Sequence, residues 1–153
     1  MTKRNGCILF PTIALITGAI SALLSSGNMD LYSKAITSPL SPPSFLFPVV
    51  WTVLYILMGI SAAIIYNINN VWNHLLTIWA VQLGINFIWS LVFFNLEAYL
   101  FAFILLIILW FLIILMILMF NKQNKIAAYL QIPYLLWVTF AGYLTFSIYL
   151  LNR

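Results

Sequence analysis

Five stretches of this chain, at about 7–24, 45–66, 71–94, 99–120 and 125–151, are each apolar and long enough to cross a bilayer, whose hydrocarbon core takes about 20 helical residues. No other property restricts the fold as much. A backbone surrounded by hydrocarbon must satisfy its own N–H and C=O groups, which a helix does within one segment. Only 5% of the 153 residues are charged, against about 25% in an ordinary soluble domain. The sequence therefore predicts an all-α membrane protein: a five-transmembrane-helix bundle forming one domain over 1–153, with the lipid bilayer as its solvent.

Several function classes drop out. The formal charge of +4 comes from six Lys and Arg residues spread over loops and termini, which make no basic patch for nucleic acid. Cys7 is the only cysteine, so neither an internal disulfide nor a cysteine metal cluster can form. His74 has no second histidine and no carboxylate near it in sequence, so no metal site is expected. Asp30 and Glu97 fall in loops, which leaves no intramembrane acid for a proton relay. No nucleophile with a base, glycine-rich phosphate loop or carboxylate pair offers hydrolase or transferase chemistry. No covalently bound cofactor is expected.

The connections carry more information. Residues 25–44 form a long loop holding Asp30, Tyr32 and Lys34 and ending in PLSPP. Proline fixes its own φ and pushes the preceding residue toward extended geometry, so PLSPP reads as a semi-rigid strap. Lys3, Arg4, Lys122 and Lys125 mark one side of the membrane, against Lys34 and Arg153 on the other. The positive-inside rule then places the N-terminus in the cytoplasm and the strap outside. In the first stretch Ala14, Gly18 and Ala22 make a four-residue ladder of small side chains suited to close helix packing. A secretory signal peptide fits the same basic start and apolar run. The fourth stretch is apolar on every face and reads as mostly lipid-facing. Pro133 is expected to kink the fifth.

Polar and aromatic residues at helical spacing single out three faces. Trp51, Tyr55 and Gly59 step by four, placing two rings above a gap; Gln82, Asn86, Trp89 and Phe93 share a second face; Trp137, Ala141, Leu144 and Ile148 share a third. Each amide buried in hydrocarbon without a partner costs about 1 to 3 kcal/mol, so Gln82 and Asn86 must face protein, a cavity or water. Trp72 and Trp79 read as interfacial anchors. Three faces joining rings to small or polar neighbours suit an apolar pocket with a few orienting polar groups.

PLSPPSFLFPVVWTVLYILMGISA, QLGINFIWSLVFF and AAYLQIPYLLWVTFAGYL resemble, in order and spacing, blocks of the TspO/MBR family, the tryptophan-rich sensory proteins and the mitochondrial translocator protein. The resemblance covers essentially the whole chain. It implies a five-helix bundle, often a homodimer, with a pocket beneath the loop between the first two helices. It implies a receptor or sensor for tetrapyrroles (protoporphyrin IX or haem) and other flat apolar ligands. Light- and oxygen-dependent porphyrin degradation, with Trp51 and Trp137 as catalytic tryptophans, is a second implied function, and transport of porphyrin or lipid-like molecules a third. Pro42, Pro43, Asn86, Trp89, Tyr134, Trp137 and Ala141 match family motif positions. Together with the faces above, the candidate ligand-binding set is Tyr32, Pro42, Pro43, Trp51, Tyr55, Gln82, Asn86, Trp89, Phe93, Tyr134, Trp137, Ala141 and Leu144. Thr37, Leu40, Phe45 and Thr145 depart from the family's usual residues.

Overall fold

The computed structural model describes residues 3–28 and 39–153, with side chains from Asn5 onward. Residues 29–38 of the predicted 25–44 loop, including Asp30, Tyr32 and Lys34, lie outside the described residues, whereas the PLSPP strap is described. Helix α1 spans Lys3–Ser25 and runs into a 3₁₀ turn, Ser26–Asn28; α2 spans Leu46–Asn69, α3 His74–Phe94, α4 Tyr99–Asn121, α5 Lys125–Tyr129 and α6 Ile132–Leu151. Helices α1 to α4 and the α5–α6 pair make five spans of membrane length. Round the bundle the order is α1, α2, the α5–α6 pair, α4 and α3, which returns to α1.

The boundaries follow local chemistry. Asn70 ends α2 in the left-handed region, its N–H donating to the Tyr66 carbonyl at 2.7 Å. Asn73 then caps α3, its side-chain oxygen accepting from the N–H groups of Leu75 and Leu76 at 3.1 and 3.2 Å. That cap starts the helix at His74 rather than at 71, because an N-cap residue satisfies amides the first turn cannot. The first helix also starts earlier than the expected 7, taking Lys3 and Arg4 into its first turn.

The fifth span is broken rather than kinked. Asn124 caps α5 by accepting from Ala127 N–H at 3.0 Å, and Pro133 sits in the first turn of α6, where a missing N–H costs nothing. Across the break Gln131 N–H turns to the Ala128 carbonyl at 3.1 Å. The Ala127 carbonyl instead accepts the Ser61 hydroxyl of α2 at 2.7 Å.

One further expectation gains detail and another changes. Helix α4 stays mostly exposed, in keeping with a mostly lipid-facing helix, and buries one stripe, Ala102, Leu106, Leu109, Ile113, Met116 and Phe120, against its neighbours. Its sequence is apolar everywhere, so no periodicity could mark that side. Trp79 is not an interfacial anchor: only 1% of it is exposed, Phe10 of α1 meets it edge-on at 5.6 Å, and its indole N–H donates to the Met58 carbonyl at 3.1 Å. Trp72 is exposed, its N–H held by the Thr77 hydroxyl at 3.0 Å.

Gly59 also differs from its reading as a gap under two rings. The gap is filled by α1, since a Cβ on Gly59 would overlap the backbone of Pro11. Absence of a side chain lets the two helices meet backbone to backbone, the usual role of small residues between membrane helices. Phe10 fixes the same contact by packing on Tyr66 with ring centroids 5.4 Å apart.

Candidate ligand cavity

A cavity of about 340 Å³ lies between α1, α2 and α3 toward the end where α1 stops and α2 starts. Helix α1 contributes Leu15 and the small residues Gly18, Ala19, Ser21, Ala22 and Ser25; α2 contributes Phe47, Pro48, Trp51, Thr52 and Tyr55; α3 contributes Asn86, Trp89, Ser90 and Phe94. One wall is thus aromatic and the other carries almost no side chain. Among the described residues no charged group lines it.

Trp51 is the centre of the aromatic wall. Its ring lies 5.8 Å from both Tyr55 and Trp89, 6.3 Å from Tyr134 and 6.5 Å from Trp137, the last two edge-on. Trp89 in turn stacks on Phe93 at 5.6 Å. Offset and edge-on pairs at these separations contribute about 0.5 to 1.5 kcal/mol each beyond their burial, so the wall is stiff. The buried indole N–H groups of Trp89 and Trp137 have no hydrogen-bond partner among the described residues.

A buried polar relay supports the cavity from behind. The Tyr134 hydroxyl donates to Gln82 Oε1 at 2.7 Å and accepts from Asn86 Nδ2 at 2.9 Å. Gln82 Nε2 points at Met58 Sδ, 3.7 Å away. A thioether has no proton to give, so the Gln82 amide nitrogen belongs on that side and its oxygen faces Tyr134. The relay therefore turns Asn86 Oδ1 toward the cavity side, where the Tyr55 hydroxyl donates to it across 3.5 Å. That is long for an O–H···O bond. Both groups keep capacity for a ligand's polar edge.

Of the candidate set, Trp51, Tyr55, Asn86 and Trp89 line the cavity. Gln82 and Tyr134 stand behind it in the relay, and Phe93, Ala141 and Leu144 are buried elsewhere in the core. Trp137 touches Trp51 and Phe47, but its other side lines a separate outward groove with Pro133, Leu136 and Phe140. Pro42 and Pro43 do not line the cavity; the Pro43 carbonyl accepts the Leu46 N–H at 3.0 Å and starts α2. Tyr32 lies outside the described residues.

The α1 lining was missed by the sequence reading. Gly18 and Ala22 belong to the small-residue ladder that was read as packing. A ladder of small side chains serves close contact and open space equally well, so only the path of the neighbouring helix separates the two. Pro48 and Thr52 had a usable signal, since they share the helical face of Tyr55 and Gly59.

The model of the TspO/MBR family matches residues 7–151. The chain is 38% identical over 151 residues to the Tryptophan-rich protein TspO of Chlorobaculum tepidum, covering 92% of this chain and 96% of that one. It is 36% identical over 138 residues to Protein CrtK of Rhodobacter capsulatus, covering 88% and 85%. A third similar protein, the Tryptophan-rich sensory protein of Cereibacter sphaeroides, is 31% identical over 112 residues, covering 73% and 70%.

Proposed function

The chain belongs to the TspO/MBR family, and from that membership we propose that it is a receptor or sensor holding a tetrapyrrole or another flat apolar ligand in the α1–α2–α3 cavity. It is an integral, multi-pass membrane protein. The observation that carries the proposal is the cavity's two unlike walls: Trp51, Tyr55 and Trp89 on one side, and Gly18, Ala19 and Ala22 on the other. Rings supply stacking surface, while small residues leave room for a planar body. Asn86 and Tyr55 offer the few orienting polar groups such sites use.

The volume of about 340 Å³ is near the low end of small-molecule sites, which run roughly 300–1,000 Å³. A large macrocycle must therefore widen the cavity or leave part of itself outside. Titration of the purified protein with protoporphyrin IX tests the reading through tryptophan fluorescence. Saturable quenching at low micromolar porphyrin is expected, weakened by Trp51→Ala. Quenching that rises linearly without saturation overturns it.

The Trp51–Trp137 ring contact at 6.5 Å favours a second reading, light- and oxygen-dependent porphyrin breakdown through tryptophan oxidation. It predicts that illumination bleaches the Soret band of bound porphyrin, and that Trp51→Phe with Trp137→Phe stops the loss. Bleaching unchanged in that double variant removes it. The proposal includes a cytoplasmic N-terminus, supported by the distribution of Lys and Arg, and, from the likeness to bacterial family members, a bacterial cell membrane. It also includes a homodimer. The exposed α3 face at Thr77, Val81, Gly84 and Ile88 supports this, since a Cβ on Gly84 would meet nothing within 4 Å.

A further inference from the structure

The cavity has two seams along α1, and they differ in kind. On the α3 side the seam is tied by hydrogen bonds. The Ser25 and Ser90 hydroxyls are 3.2 Å apart, Asn28 Nδ2 donates to Asn95 Oδ1 at 3.0 Å, and Asn95 Nδ2 donates to the Leu24 carbonyl at 3.1 Å. On the α2 side the helices meet at one end and part at the other.

The residues of α2 that face α1 are Pro48, Thr52, Tyr55 and Gly59, spaced four, three and four apart on one helical face. Gly59 and Tyr55 are buried, Gly59 against Pro11 and Tyr55 against Gly18. Thr52 and Pro48 are exposed, although both line the cavity. On the opposite wall Leu15, Ala19 and Ala22 line the cavity and are exposed too. Surface that borders a cavity and is open to the outside on both walls is the rim of an opening.

The chemistry of that rim suits hydrocarbon rather than water. Leu15, Ala19 and Ala22 are aliphatic, and Pro48 has no N–H to satisfy. The Thr52 hydroxyl is already bonded to the Pro48 carbonyl at 2.7 Å, which leaves its methyl group for other contacts. A rim with its polar groups met inside its own helix carries no desolvation cost in lipid. The rim thus combines small side chains on α1 with an already bonded hydroxyl on α2.

We propose that the cleft between α1 and α2 is a lateral portal, through which an apolar ligand moves between the bilayer and the cavity. The proposal rests on the receptor reading above. A ligand that partitions into lipid then reaches the aromatic wall without crossing water. Its route ends at Trp51 and Asn86, while the hydrogen-bonded α1–α3 seam stays shut.

In a Cys7→Ser background, Ala19→Cys puts one thiol on the rim, and a benzyl methanethiosulfonate attaches a bulky group to it reversibly. Thr52→Cys does the same from the opposite wall. Ile60→Cys, exposed on α2 and not lining the cavity, is the control. The protein is held in phosphatidylcholine vesicles, protoporphyrin IX is supplied from the bilayer, and tryptophan quenching is followed in time. Rim modification is expected to slow association about tenfold or more and, when applied after loading, to slow release by a similar factor. Dithiothreitol restores both rates, and the control changes neither. Rates unchanged in both directions, or displacement of preloaded porphyrin by the reagent, overturn the portal while the receptor reading stands on the quenching of unmodified protein. Absence of saturable quenching in unmodified protein overturns both.

Discussion

The two ends of the α1–α2 contact use small residues in opposite ways. At one end Gly59 admits the backbone of Pro11, and Phe10, Tyr66 and Trp79 pack around the crossing. At the other, Gly18 lies against the Tyr55 ring, and Ala19 and Ala22 line the cavity opposite Trp51. The tryptophans follow the same division. Trp79 has its indole N–H bonded to the Met58 carbonyl, whereas that of Trp89 is buried without a partner among the described residues. Close packing holds the bundle together at one end, which lets the other remain loose enough to take a ligand.

Substitutions at the closed end should break that division most severely. Gly59→Leu forces side-chain atoms into the Pro11 backbone, which has no rotamer to escape into, and is expected to cost about 3 kcal/mol or more. Denaturant or thermal unfolding in detergent measures it; a stability equal to the parent would mean that the helices part easily there as well. Tyr134→Phe tests the relay behind the aromatic wall. It leaves Gln82 Oε1 and Asn86 Nδ2 buried without their partner and should lower stability by about 2 kcal/mol. Ligand affinity should fall with it, since Asn86 is no longer held, and an unchanged dissociation constant would detach the relay from the site.

At the open end the balance reverses. A Cβ on Gly18 would meet the ring of Tyr55, a side chain able to turn aside, so Gly18→Ala should cost about 1 kcal/mol in stability. The displaced ring enters the cavity, and porphyrin affinity should drop roughly tenfold, about 1.4 kcal/mol. A variant that loses stability but keeps its affinity would show that Gly18 serves packing, like Gly59. The smallest effect is expected at Gly84, which faces open space. In the proposed homodimer a methyl group there should weaken association modestly, read as a lower dimer fraction in detergent. A Gly84→Ala protein that stays dimeric and gains up to about 1 kcal/mol through reduced backbone freedom would instead remove a second copy from that face.

Parts of the cavity were legible because polar groups are costly in hydrocarbon. Gln82 and Asn86 could face only protein or a cavity, and the rings one turn from them followed. The α1 wall was illegible, because glycine and alanine give the same signal whether the next helix closes on them or leaves them open. Helix α4 hid its buried stripe for a related reason: every face of it is apolar, and lipid is as good a solvent for leucine as a neighbouring helix. Trp79 was misread as an anchor because position near a helix end says nothing of which neighbour covers it; Phe10 does.

By itself the sequence determined five spans, a disturbance of the fifth helix at Pro133 and the presence of an amide-and-ring face. These depend on the local cost of an unmet N–H, a missing donor or a buried amide, and such costs do not wait for a partner helix. Only the tertiary structure decided that α1 and α2 touch at Pro11 and Gly59 and separate at Ala22 and Thr52. Inside a membrane both arrangements bury the same apolar side chains in apolar surroundings, and the choice is left to how closely the helices fit.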